Sequence, residues 1–376
     1  MGRSSRVTRL LYLVSHPIQY QAPLLRRIAD QSDIDLRVLF ERTHPDNRYF
    51  DTGFGREVKW DVDLIDGYEN APMAGVDIKR EIGRADVIWL HGWQTPRMRS
   101  CLRQAKRSGR PVLMRGENCD LAMPDGSGVR GWLKRKFVNK IFKSCDFYLA
   151  IGSENRRYYL NRGVPPPQII DMPYAVDNEA FGNLAKYAKK NRNALREKLG
   201  ISPTRRVVLF AGKLQSRKNP QLLAKAIASA DWAIEEPALI FVGDGESRAE
   251  LEELAPDAIF TGFVNQTEMP AYYDLADIFV LPSVREPWGL AVNEAMACGT
   301  AAIVSDQVGC AADLIDSGNG RIVPAGDQIS LSKALVVCLN NSEEMGKAAQ
   351  QRILQWGFNQ DIEGLRAALA RAATLT

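Results

Sequence analysis

The chain has 376 residues, 45% hydrophobic and 25% charged, ordinary values for a globular protein that exclude a disordered chain, a collagen-like repeat and a long coiled coil. At about 100–200 residues per domain the length asks for two domains. The net charge is only +4, and it is split: residues 1–180 hold 29 Lys+Arg and 22 Asp+Glu, residues 181–376 hold 20 and 23, so the basic excess belongs to the first half and the chain as a whole is no nucleic-acid binder.

In chain order, the apolar run at 10–14 (LLYLV) reads as a first buried strand. It is too short for a signal-peptide core, and no run reaches the ~18–20 residues that cross a bilayer. The expected location is therefore cytoplasmic, with possible association at the inner membrane face. Further runs follow at 36–40, 87–90, 112–114, 147–151, 207–212, 238–243, 258–262, 277–281 and 301–305. Continuous runs of this length fit strands buried on both faces of a parallel sheet. Between them lie helical stretches at 21–29, 96–108, 220–230 and 269–276. The alternation predicts α/β architecture with two doubly wound, Rossmann-like parallel-sheet domains facing across a cleft. The polar, strandless run at 178–206 marks the boundary. The predicted domains are 1–180 and 181–360, with a helix at 361–376 packing back on the first. Six scattered cysteines without a CxxC pair read as free thiols, not as a zinc site or disulfide scaffold.

Ligands of such sheets bind beyond the carboxyl ends of the strands, so the segments after each strand carry the information. After 207–211 comes Gly212-Lys213-Leu214-Gln215-Ser216-Arg217-Lys218-Asn219-Pro220. Two lysines on a glycine-led loop before a helix can converge on a polyanion. The alternative is a solvated basic turn. After 238–242, Gly243-Asp244-Gly245-Glu246 is an incomplete dinucleotide motif, with Arg248 where a third glycine would stand. It suits a turn that lets a ligand approach the backbone. After 277–281 comes the most informative stretch, Glu286-Pro287-Trp288-Gly289-Leu290-Ala291-Val292-Asn293-Glu294. Leu290 and Glu294 share a helix face. The amides of Trp288, Gly289 and Leu290 fall at a helix start, where anions are stabilised. A carboxylate beside an anion site suits the paired hydroxyls of a sugar or ribose.

The Glu-x7-Glu pair in EPWGLAVNEAMACG closely resembles that of the retaining nucleotide-sugar glycosyltransferases of family 4, which have the GT-B fold. FAGKLQSRKNP, FVGDGESRAELEELA, FTGFVNQTEMPAYYDLADIFVLPS and NGRIVPAGD carry the same resemblance, densely over about 200–330 and loosely earlier in IGSENRRYYL and MPYAVD. It implies that Lys213 and Lys218 clamp the donor diphosphate and that Glu286 contacts hydroxyls of the donor sugar. It also implies that the amides of Trp288, Gly289 and Leu290 hold sugar and phosphates, that Glu294 takes the ribose hydroxyls, and that Phe263 and Val264 sit at the base. Lys213 departs from the usual Arg, which replaces a bidentate fork by a point charge.

The first half departs further. The loop Ser15-His16-Pro17-Ile18-Gln19-Tyr20 lacks the glycines common in the family. Arg115-Gly116-Glu117-Asn118 places Glu117 near the family's usual His. His16, His91, Arg115 and Glu117, all at strand ends, are the acceptor-side candidates, and a structural role is the alternative for each. Asp61-x-Asp63 formally resembles a metal-binding DxD but is read as structural, and no metal or other cofactor is expected. The segment 129–144 places Leu133, Phe137 and Ile141 at helical spacing among six cations. It is read as a helix packing that stripe on the sheet, with peripheral membrane contact as the alternative.

The resulting expectation is a retaining, hexosyl-type glycosyltransferase. It moves a sugar from a nucleoside diphosphate sugar, UDP by default, to a hydroxyl on a glycan, a lipid-linked or a small-molecule acceptor. The alternatives are another GT-B enzyme, such as an epimerase or phosphorylase, and a non-catalytic nucleotide-sugar binding module.

Overall fold

A computed structural model describes residues 7–43, 48–51, 56–233 and 235–375. In chain order the strands are β1 (Thr8–Val14), β2 (Ile34–Phe40), β3 (Arg48–Asp51), β4 (Arg56–Lys59), β5 (Glu69–Pro72), β6 (Val87–His91), β7 (Val112–Arg115), β8 (Phe147–Ala150) and β9 (Ile169–Asp171). They continue with β10 (Val207–Ala211), β11 (Ala238–Val242), β12 (Ile259–Gly262), β13 (Ile278–Leu281), β14 (Ala301–Ser305) and β15 (Gly320–Val323). Every apolar run read from the sequence forms one of these strands. Continuous burial follows: all five residues of β10, β11 and β14 are buried.

The chain divides into two units, one of residues 1–47, 63–174 and 358–376, the other of 48–62 and 175–357. In the first unit the parallel sheet runs β5-β2-β1-β6-β7-β8-β9. Strand order reverses between β1 and β6, which makes their carboxyl ends the switch point where open α/β sheets bind ligands. The C-terminal helix Phe358–Ala372 belongs to this unit, with Gly364 against the Asp171 carbonyl of β9. In the second unit the parallel sheet runs β12-β11-β10-β13-β14-β15. Its reversal lies between β10 and β13, the strands followed by the two most informative loops. The antiparallel pair β3–β4 also belongs to this unit. The strandless run after residue 177 is helical over Asn178–Lys189 and Arg192–Lys198, the first helix capped by the Asp177 carboxylate on the Ala180 amide.

The helix expected at 129–144 spans Gly128–Phe142, but its buried line is Gly131, Val138 and Phe142. The expected packing of Leu133 and Phe137 on the sheet is therefore corrected: both are exposed, and of the stripe only Ile141 joins the core. The six cysteines are free thiols, and all but Cys298 are buried. Among the described residues no helix is long and apolar enough to cross a membrane.

Candidate functional site

In the second unit, the loops after β10, β11, β12 and β13 are stitched into one rim. The Gly212 amide donates to the Val242 carbonyl and Leu214 to Asp244 (both 2.9 Å), Gly243 to Gly262 (2.8 Å), and Val284 to Arg217 (2.9 Å). The first two loops approach so closely that a Cβ on Gly243 would lie 2.0 Å from the Gly212 carbonyl oxygen, and its φ of +126° independently excludes most side chains. The β13 loop is fixed from its other side, where Gly309 donates to Glu286 and Cys310 to Trp288 (both 3.0 Å). Gly289 then turns the chain at φ +101° into the helix Leu290–Ala297. The Trp288 ring is buried, its Nε1–H bonded to Asn293 at 2.9 Å and its face 5.4 Å from Trp356. The Trp288 side chain is thus taken up inside the unit.

This scaffold brings three charged side chains together at the switch point. Lys218 Nζ donates to Glu286 Oε2 at 2.8 Å, and Arg217 Nη1 reaches the same oxygen at 3.2 Å. Burial alone would raise the Glu286 carboxyl, but Lys218 and Arg217 outweigh it and hold it below the ordinary value. Glu294, one helical turn beyond Leu290, accepts from the Tyr273 phenol at 2.7 Å. Burial pushes its carboxyl up to about 7, partly offset by Tyr273 and by the charge of Lys218. Two carboxylates within the field of one lysine thus differ in character: one held ionised, the other titrating near neutrality. Gly212 lies against Lys218, and Lys213 occupies the same loop.

Phe263 and Val264 follow β12 directly and are partly buried. The Trp60 ring lies 5.7 Å from Phe263. Just beyond, Asn265 Nδ2 donates to the Lys59 carbonyl at 3.0 Å. The Asp61 carboxylate accepts from the Thr267 amide at 3.1 Å and from its hydroxyl. Asp63 accepts from the amides of Ile65 and Asp66, both at 3.0 Å. Both acids of the DxD pattern are therefore engaged in turns and backbone.

In the first unit, the acceptor-side candidates stand at the adjacent ends of β1, β6 and β7. His16 is exposed, its Nδ1 2.8 Å from Ser15 Oγ. His91 lies 3.2 Å from Gln21 Nε2, whose Oε1 accepts from Tyr12 at 2.6 Å. Burial, with Arg115 and His16 nearby, holds His91 down to about 3, so it is neutral. Glu117 Oε1 accepts from two phenols, Tyr20 at 2.6 Å and Tyr174 at 2.5 Å. Both converge on the same oxygen, which leaves Oε2 for a ligand hydroxyl. Arg115 is different in kind. It is fully buried, held by Asp361 at 3.1 Å and by the Met172 carbonyl at 3.0 Å. That environment makes it an internal anchor for the C-terminal helix and removes it from contact with solvent.

Sequence reasoning passed over Arg217, Tyr273, Trp60, Tyr20 and Tyr174. Arg217 and Tyr20 sit inside loops already singled out, and Tyr174 lies in the MPYAVD stretch. Tyr273 lies in the FTGFVNQTEMPAYYDLADIFVLPS stretch, and nothing local marks Trp60.

Residues 191–352 match the family described as glycosyl transferases group 1, a segment lying wholly inside the second unit. A D-inositol 3-phosphate glycosyltransferase of Geodermatophilus obscurus is 26% identical over 319 residues, which is 79% of this chain and 69% of that one. A GDP-mannose-dependent alpha-mannosyltransferase of Corynebacterium glutamicum is 30% identical over 193 residues, 51% of this chain and 44% of that one. Among solved structures, Anabaena HepE in complex with UDP superposes with a TM-score of 0.76 at 15% identity, covering 96% of this chain and 100% of that one. The two parallel-sheet domains are those of the GT-B fold.

Proposed function

We propose, from the glycosyl transferases group 1 domain at residues 191–352, that this chain is a retaining glycosyltransferase using a nucleoside diphosphate sugar. The observation that carries the reading is the convergence of Lys218 and Arg217 on Glu286 at the β10–β13 switch point, with Glu294 one turn into the adjoining helix. Lys213, Lys218 and the amides of Gly289 and Leu290 would hold the diphosphate, the last two at a helix N-terminus. Lys218 has three N–H donors and can keep Glu286 while serving phosphate oxygens. Glu286, held ionised, would accept hydrogen bonds from the donor sugar and fix its orientation. Glu294 would take the ribose hydroxyls. Phe263, Val264 and Trp60 would wall the base. UDP is the default, in keeping with the UDP complex of HepE, and GDP is the competitor, in keeping with the mannosyltransferase relative.

Glu117, with Oε2 open, would receive an acceptor hydroxyl beside neutral His91. The described residues offer no paired nucleophile and base at the donor site. A same-face transfer, in which the departing phosphate itself takes the acceptor proton, fits this inventory. No metal or organic cofactor enters this reading.

The test is a panel of nucleotide sugars incubated with simple hydroxyl acceptors, with products followed by NMR. One donor should be consumed with retained anomeric configuration, and Glu286→Ala should lose the activity. Binding of a donor without turnover under any acceptor would favour a non-catalytic module. Isomerised donor without acceptor would favour an epimerase.

Glu294 supplies a pH signature. Its carboxyl titrates at about 7 without ligand, and ribose hydroxyls donate best to the ionised form. Donor binding should therefore release a proton and tighten as pH rises. Between pH 6 and 8 the affinity for the nucleotide sugar should increase about tenfold, since one unit below the pKa only about a tenth of the sites are ionised. The diphosphate diester has no titrating group in that window. Calorimetry should show the dependence in the wild type and its loss in Glu294→Gln.

A further inference from the structure

The helix Gly128–Phe142 packs Val138 and Phe142 in the core yet turns four other large apolar residues to solvent. Val129, Trp132, Leu133 and Phe137 are 73%, 54%, 54% and 45% exposed. Between and beside them stand Arg130, Lys134, Arg135, Lys136 and Lys140, with Lys143 just after, and no acid occurs from Gly126 to Cys145. The adjoining helix Pro96–Arg107 carries Arg97, Arg99, Arg103, Lys106 and Arg107, again without an acid. The two helices meet at Phe137, whose ring lies 5.9 Å from Trp93 and 5.8 Å from the Arg99 guanidinium. Carboxylates answer part of this charge: Asp146 lies 3.9 Å from Lys106, and Asp120 and Asp125 of the preceding loop face Arg135. Asp125 pairs with Arg135 at 3.2 Å and Lys134 at 3.9 Å, and it is already held by Arg162 at 2.8 Å. Lys136 lies 3.8 Å over the Trp132 ring, an arrangement of amphipathic side chains suited to a polar–apolar boundary.

We infer that this two-helix face docks on an anionic phospholipid bilayer, with Val129, Trp132, Leu133 and Phe137 entering the headgroup–acyl boundary. Charge complementarity selects an acidic partner surface. The apolar side chains select among acidic partners. A nucleic acid would neutralise the cations yet leave Val129 and Leu133 in water, whereas a bilayer interface accommodates both kinds of group at once. The inference is independent of the glycosyl-transfer reading, because none of these residues lies in the second unit.

The test is co-sedimentation of the full chain with vesicles of phosphatidylcholine alone and of phosphatidylcholine with phosphatidylglycerol. The chain should partition onto the anionic vesicles, and less so as salt is raised. Trp132→Ala/Leu133→Ala should lower that partition at least about tenfold, the effect of withdrawing two large apolar side chains from the interface. Both positions are exposed, so its melting midpoint should match the wild type. Arg130→Glu/Lys140→Glu should abolish the preference for anionic lipid. Equal binding to both compositions, binding to neither, or wild-type partition by Trp132→Ala/Leu133→Ala would overturn the inference. So would tighter binding to a single-stranded oligonucleotide that the apolar double variant leaves unchanged.

Discussion

Lys218→Ala should lower kcat by about 10²–10³-fold, the range found when one preorganised electrostatic donor is removed from a reaction centre. The donor KM should change much less. Lys218 can touch the diphosphate in the ground state, but negative charge on that group grows as the sugar departs. A cation aimed at growing charge acts mainly in the transition state, and its loss falls on kcat. The pH profile should move as well. Glu286 is depressed chiefly because Lys218 offsets the effect of burial, with Arg217 as the second cation. Without Lys218 its carboxyl rises, so the acid limb of the activity profile should shift to higher pH. Lys218→Arg keeps the charge but replaces a point cation by a planar fork, and should recover activity only in part. Because Lys218 and Glu286 act through one hydrogen bond at 2.8 Å, Lys218→Ala/Glu286→Gln should cost far less than the two single changes together. Near-wild-type turnover by Lys218→Ala in a steady-state assay would remove Lys218 from the donor site.

The loops of the candidate site were readable because each lies immediately after a continuous apolar strand, so sequence adjacency and spatial adjacency coincide. The rule that parallel sheets bind ligands at their carboxyl ends singles out the segments that hold Lys213, Lys218, Glu286 and Glu294, and the family resemblance supplies the role expected of each. Arg217 stands between those lysines in sequence. Its approach to Glu286 depends on the zipper between the β10 and β13 loops, which no local pattern announces. The β3–β4 pair was invisible for another reason. RYFD and REVK hold no apolar run, so a search tuned to strands buried on both faces passes over them, and Trp60 behind them goes unnoticed. In the 128–142 helix the spacing of Leu133, Phe137 and Ile141 gave the correct element and the wrong face. Periodicity reports that apolar residues share a side of a helix, but not that the side is turned to the core.

Arg115 shows the same limit more sharply, because its partner lies 246 residues away. As a basic residue at a strand end it invites an acceptor role, and the fold instead surrounds it with Asp361, the Met172 and Pro173 carbonyls, and the rings of Trp89 and Tyr174. Asp361→Ala should therefore destabilise the protein by about 3–5 kcal/mol, because a buried guanidinium loses its counter-charge. For a unit of this size that corresponds to a melting midpoint lower by ~10 °C or more. Burial pushes the Asp361 carboxyl up to about 6 against the pull of Arg115. A folded-state value above the unfolded one means that the native state holds this proton more tightly. The contribution of Asp361 to stability should fall as pH rises from about 4 to 6 and then level off. Asp361→Ala should lack that segment of the stability curve. Replacing the pair together, as Arg115→Met/Asp361→Leu, removes both charges and their desolvation, and should recover most of the lost stability. That variant also separates two roles for Arg115. An internal anchor predicts an acceptor KM close to wild type in the double variant. A direct acceptor contact predicts a KM raised at least about tenfold, the loss of one charge-assisted hydrogen bond.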